Sequence, residues 1–193
     1  MKKLVDVANC IMCATCYALC PVVSVDPAFA GPAAIAYAYR FIEDVRDAKR
    51  TERIAQISED YLWLCAHCYA CSYCPKHVDP NDRIVDVKRA AIKDRVMLSE
   101  RGPRHALIAG KTIKQTGMLA ETELIVGTVG RFNVTGLMKV LPLALRMVAK
   151  GKLTPTEMVV GGTAPMLGLP SMKPIPKVDE VRAIFEALEV PAN

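Results

Sequence analysis

Hydrophobic positions along this chain recur mostly at helical steps. Gly31-Pro32 opens the first long run, and Ile35, Tyr39, Ile42 and Val45 follow at three- and four-residue intervals, the spacing of one helix face with proline at an early position. Thr51 to Glu59 predicts a shorter helix with Ile54 and Ile57 turned inward, and Tyr61-Leu62-Trp63-Leu64 then forms an apolar wall. Ile84, Val87 and Ala91 mark a helix ending near Leu98, Gly102-Pro103 opens the next, and Gly117 stops it. From Val134 to Lys150 a broad apolar stripe carries Leu137, Val140, Leu141, Ala144 and Val148, with Pro142 expected to bend the helix and Gly151 to end it. Thr154-Pro155-Thr156-Glu157 reads as a capping box, Gly161 to Pro176 as a Gly- and Pro-rich loop lying over a neighbouring subunit, and Val178 to Glu189 as a last helix. Only Leu124 to Val129 predicts an extended segment.

This helical pattern is interrupted by cysteines. The eight cysteines form two runs, Cys10, Cys13, Cys16 and Cys20 before Pro21, and Cys65, Cys68, Cys71 and Cys74 before Pro75. The first has the spacing C-x2-C-x2-C-x3-C-P, in which three thiolates wrap one [4Fe–4S] cube and the fourth serves the other cube. Soft thiolates two residues apart converge from one tight loop onto three corners, and the following proline stops the turn from winding on. On this reading cluster I takes Cys10, Cys13, Cys16 and Cys74, and cluster II takes Cys65, Cys68, Cys71 and Cys20. Only Ser72 and Tyr73 separate Cys71 from Cys74, one residue fewer than the first run has, so the fourth ligand of cluster I stays open. A pair of structural zinc sites is the alternative; zinc ribbons, however, present two separate Cys-x2-Cys knuckles rather than three cysteines in series. Disulfides fit poorly with such close spacing and no secretory leader.

Composition adds limits. At 193 residues and 52% hydrophobic content the chain has ample material for a core. The start lacks signal-peptide and twin-arginine patterns, and Val134 to Ala149, broken by Lys139 and Arg146, falls short of the ~20 apolar residues of a spanning helix. The expected location is the cytoplasm, with any membrane contact peripheral or through a partner. The net charge of +5 sits after the second cysteine run, where residues 75–115 hold 10 Lys or Arg against 5 Asp or Glu. Arg83, Lys88, Arg89, Lys93, Arg101, Arg104, Lys111 and Lys114 could steer an acidic redox partner, offset cluster charge, or simply face solvent. No nucleic-acid motif accompanies them. Trp63 with Tyr17, Tyr69 and Tyr73 is expected to shield the clusters as core. His67 and His77 flank the second run as hydrogen-bonding or solvent-facing groups, and His105 is isolated. No dinucleotide fingerprint, Walker loop or nucleophile elbow is present.

The two cysteine runs, their helical spacer, the Trp63 approach to the second run and the segment Met147-Val148-Ala149-Lys150-Gly151-Lys152-Leu153-Thr154-Pro155 together resemble the C-type subunit of heterodisulfide reductase. The resemblance implies a mainly α protein, with an α-helical ferredoxin fold over residues 1–100 and a helical C-terminal extension over 101–193 that packs on it or on partner subunits. It implies two [4Fe–4S] clusters, no catalytic residue in this chain, and electron transfer from or to a flavin-containing A-type subunit on one side and a cysteine-rich B-type subunit on the other, in a complex whose higher oligomer is open. The shortened gap before Cys74 turns this expectation toward the related complexes of sulfur metabolism. The alternative is an iron–sulfur subunit of another flavin-linked respiratory enzyme, of succinate dehydrogenase or glycolate oxidase type; the plant-type C-x4-C-x2-C spacing of the succinate dehydrogenase class is missing here.

Overall fold

The computed structural model describes residues 2–96, 98, 100–130, 132–152, 154, 156, 159 and 172–188. Two compact units divide the chain, Met1–Glu100 and Arg101–Asn193. Among the described residues the secondary structure is helical throughout, with no strand.

In the first unit α1 (Lys2–Ala8) leads into the first cysteine loop, which carries the short α2 (Thr15–Ala18) and α3 (Pro21–Val25). Next come α4 (Pro32–Ile42), α5 (Arg50–Asp60), two 3₁₀ turns (Leu62–Leu64 and Ala70–Ser72) and α6 (Pro80–Lys93). Proline stands in the first turn of α3, α4 and α6, where a missing N–H has no cost. The core forms where α4 lies against α6: Ile35, Ala36, Tyr39 and Ile42 meet Ile84, Val87 and Ala91, joined by Val7, Phe29, Ile54, Leu62 and Val78. Every one of these side chains is at most 3% exposed. Burying one such aliphatic or aromatic group contributes roughly 1.5–3 kcal/mol, so this cluster anchors the unit. Arg50 closes the far end: its Nη1 donates to the Ile42 carbonyl at 2.8 Å and to Glu43 at 2.7 Å, and its Nε donates to Asp94 at 3.0 Å. A cation thus meets the unpaired carbonyls at the end of α4, where the helix dipole favours it.

Two expected boundaries shift. The helix of Ile35 ends at Ile42, leaving Val45 almost fully exposed, and α6 ends at Lys93 rather than near Leu98. In the second case Val96 folds back into the core after a turn, and its N–H bonds to the Ala91 carbonyl at 2.9 Å. Gly31 has φ of +87°, and a Cβ there would collide with the Tyr17 ring, so the entrance of α4 presses directly on α2.

The second unit holds α7 (Arg101–Thr116), α8 (Glu121–Val129), α9 (Val134–Ala149) and α10 (Val178–Ala187). The extended segment expected at Leu124 to Val129 is instead most of α8. Glu121 and Glu123 sit in its first turn, where carboxylates favour the helix N-terminus, and packing on α7 overrides the β-branched composition. Gly127 permits that approach, since a Cβ would run into Ile108. Gly117, at φ of +78°, ends α7 by donating to the Ile113 carbonyl at 2.8 Å. The helix α10 packs on α7. Residues 155 and 157 of the expected capping box and most of the 161–176 loop lie outside the described residues, and α10 ends at Ala187, short of the expected Glu189.

Candidate iron–sulfur site

The two cysteine loops share one backbone pattern. In the first, the residues on either side of Cys13 are left-handed, Met12 at φ of 54° and Ala14 at 61°. In the second, those on either side of Cys68 are left-handed, His67 at 53° and Tyr69 at 61°. Non-glycine residues seldom occupy this region, and such strained positions cluster at functional sites. Alternating hand aims successive backbone N–H groups into one concavity, a shape suited to anionic groups. Each loop then closes in a helical turn: Tyr17 and Ala18 donate to the Ala14 carbonyl at 3.0 and 2.9 Å, and Ser72 donates to the Tyr69 carbonyl at 3.0 Å. The turn of one loop, α2, packs against the turn of the other.

Cys10, Cys13, Cys16 and Cys74 line a single cavity, walled by Val7, Ala36, Tyr37 and Val78. The two-residue gap before Cys74 therefore does not keep it from the first loop. Cys65 and Cys68 both lie within electrostatic reach of Cys71, as does Cys16 of the first loop, so the two loops adjoin. Cys20 is buried in the core, 7% exposed, against which Cys65 and Cys74 pack. The middle thiol of each loop, Cys13 and Cys68, is exposed, whereas Cys71 is buried. Burial, reinforced by Cys74 and Cys10, pushes the Cys16 thiol up, and burial with Cys65 pushes Cys71 up to about 11. Cys13 shifts the other way, held low chiefly by the Thr15 hydroxyl, whose Oγ1 is 3.3 Å from Sγ.

Among the described residues, no three His, Cys, Asp or Glu side chains converge tightly enough to hold one metal ion. Soft thiolates around a cavity with apolar walls instead fit a cluster of several iron atoms, whose sulfides such a donor set accommodates.

Around the second loop Lys88 fits one of the three roles open to it, and two other expectations are corrected. Lys88 reaches under the loop from α6, a place from which it would offset thiolate charge: Nζ donates to the Cys65 carbonyl at 3.2 Å, lies 2.7 Å from His67 Nε2, and sits 5.2 Å from the Trp63 ring centre. Burial holds Lys88 below its ordinary pKa, and burial together with the Lys88 charge does the same to His67. An ammonium group has only N–H donors, so the His67 Nε2 that a charged Lys88 meets is on the accepting side of that contact. Arg83 is no steering charge, since it is 8% exposed, stacked 5.4 Å over Tyr39 and 3.3 Å from Asp86. Tyr17, Tyr69 and Tyr73 are 45%, 57% and 80% exposed, so they are not core; of the expected aromatic shield only Trp63 is partly buried. The signal for Lys88 is its place one residue after Val87 and three before Ala91, at the edge of the buried face of α6. Thr15 lies inside the Cys13-Ala14-Thr15-Cys16 loop, where hydroxyl residues bond to local groups.

The first unit, with helices that support two tight thiol loops, has the arrangement of an α-helical ferredoxin fold. More specifically, the chain contains a 4Fe–4S dicluster domain: the profile of that domain matches residues 6–78. The chain is 45% identical over 96 residues to the fumarate reductase iron–sulfur subunit of Escherichia coli O157:H7, covering 49% of this chain and 39% of that protein. Its counterpart in Haemophilus influenzae is 39% identical over 106 residues, covering 53% and 41%. The mitochondrial succinate dehydrogenase [ubiquinone] iron–sulfur subunit 2 of Oryza sativa subsp. japonica is 40% identical over 91 residues, covering 45% and 29%. The chain thus spans about two fifths, or less, of the length of these relatives.

Proposed function

We propose that the chain binds two [4Fe–4S] clusters, one on Cys10, Cys13, Cys16 and Cys74 and the other on Cys65, Cys68, Cys71 and Cys20, and relays single electrons as a non-catalytic subunit of a flavin-linked oxidoreductase. The observation that carries this reading is the repetition of one loop geometry, left-handed on both sides of the middle cysteine, in two adjoining loops. The clusters, when bound, supply one-electron transfer. The protein holds the thiolates in place, encloses them with the apolar walls of the first unit, and sets the electrostatic environment through Lys88.

The relatives favour the respiratory class, with fumarate reductase and succinate dehydrogenase iron–sulfur subunits as its named examples, over the heterodisulfide reductase type. In that class the partner in electron exchange is a flavoprotein. A second, cysteine-rich partner belongs to the heterodisulfide reading, which retains the likeness of the cysteine runs and of residues 147–155.

Affinity purification of the tagged chain from its source under anaerobic conditions tests the proposal. The expected product is a brown complex containing a flavoprotein whose reduction by substrate reduces the clusters. A companion rich in cysteine, with disulfide reduction as the activity, would restore the heterodisulfide reading. A stable monomer that reduces an organic substrate without help would overturn both.

A further inference from the structure

We propose that α9 is a membrane-surface helix that seats the second unit on an anionic lipid bilayer. This role is independent of electron transfer and follows from what the helix leaves uncovered. None of its residues is buried. Leu137, Val140, Leu141, Leu143, Ala144 and Met147 line a groove shared with Ile125 and Val126 of α8. From the edge of that groove at Leu141 an apolar stripe continues around the helix: Val134, Met138, Leu141 and Leu145, at spacings of four, three and four residues, are 69%, 60%, 36% and 55% exposed. Phe132, just before the helix, is 89% exposed.

Charge identifies the occupant. Lys139, Arg146 and Lys150 are spaced by seven and four residues, which sets them in one row roughly 130° around the helix from the centre of that stripe, on its polar side, and all three are exposed. Lys152 follows, and no Asp or Glu occurs anywhere from 132 to 152. Glu121 borders the groove from α8, on the covered side. The other exposed amphipathic helix of this unit makes the contrast: α10 shows Ile184 at 57% exposure but carries Asp179, Glu180 and Glu186 around it. A protein partner's interface has a core depleted of charged residues and a polar rim. An exposed apolar stripe on a helix whose polar side carries cations alone matches acyl chains below and anionic headgroups above. At 16 residues the helix is about 24 Å long, too short to cross a bilayer, and among the described residues no helix is long and apolar enough to do so. It therefore lies in the plane of the surface.

The test is vesicle flotation of the full chain with its clusters, using phosphatidylcholine vesicles with and without phosphatidylglycerol. Binding is expected to the anionic vesicles, to fall as salt rises, and to be weak on phosphatidylcholine alone. Lys139→Gln, Arg146→Gln and Lys150→Gln should each weaken it about fivefold, and Met138→Asp with Leu145→Asp should abolish it. Circular dichroism and iron content compare each variant's fold with the wild type; the glutamine variants, at exposed positions, keep the test decisive if the aspartate pair misfolds. Wild-type protein that stays soluble with anionic vesicles overturns the proposal. So do vesicle binding unchanged by all these substitutions and a soluble dimer that Leu145→Asp splits, the last of which would assign the stripe to a second copy.

Discussion

The two cysteine loops are alike in backbone and unlike in surroundings. Both bend left-handed on either side of their middle cysteine, yet the first borders a cavity walled by Val7, Ala36 and Tyr37, whereas the second rests on a partly buried lysine, His67 and Trp63. Loop geometry decides where the thiolates stand, and the wall behind the loop decides the field they experience. Two sites built to one plan can thereby hold electrons with different affinity, which gives a relay a direction.

The largest effect should come from a ligand. Cys74→Ser is expected to remove or convert the cluster on the first loop while the second persists, so that iron content falls from about eight toward about four per chain. Spectra with the damage confined to the second loop would mean that each run binds its own cluster. Next is the backbone. Tyr69→Val places a β-branched residue at a φ of 61° and should cost about 1–3 kcal/mol, read as a lower unfolding midpoint, while Tyr69→Gly should retain stability and cluster. Equal behaviour of the two variants would remove the left-handed position from the account.

A smaller change should follow from Lys88→Met. A positive charge favours the more negative reduced cluster, so its loss should lower the midpoint potential of the second cluster by on the order of 100 mV, the order expected for one charge several ångström away at an effective dielectric of about 20. The first cluster should hold its potential, and Lys88→Arg should largely restore the second. Parallel shifts in both would show a general loosening instead.

The smallest effect is in pH. Burial raises Cys71 to about 11 and raises Cys16 in the same direction. Raised thiol pKa values stabilise the fold of the cluster-free chain fully below the unfolded value of about 8.5, and this contribution is lost as pH rises toward the folded value. The melting temperature of chelator-stripped protein should therefore decline between about pH 8.5 and 11 more than that of the loaded protein, whose thiolates are already deprotonated by iron.

Much of this was legible in the residues. Gly31-Pro32 and the steps from Ile35 to Ile42 marked α4, Gly117 marked the end of α7, and the cysteine spacing pointed to the chemistry directly. What was hidden depends on tertiary context. The segment from Leu124 to Val129 is rich in strand formers, and only its seat on α7 makes it helical. Left-handed Met12, Ala14, His67 and Tyr69 carry no compositional sign, because residues with a Cβ adopt that region only when surrounding structure imposes it. Lys88 meets the Cys65 carbonyl across 23 residues of sequence, a separation at which periodicity says nothing about who touches whom. Tyr17, Tyr69 and Tyr73 read as core by type and are exposed in fact, since aromatic character does not fix the side of a loop to which a ring turns.

Metal analysis of the anaerobically purified full chain is the most direct test of the central claim that two matched loops carry two iron–sulfur clusters. About eight iron and about eight acid-labile sulfide per chain are predicted, as two cubes of four irons require. Stoichiometric zinc without labile sulfide would contradict it.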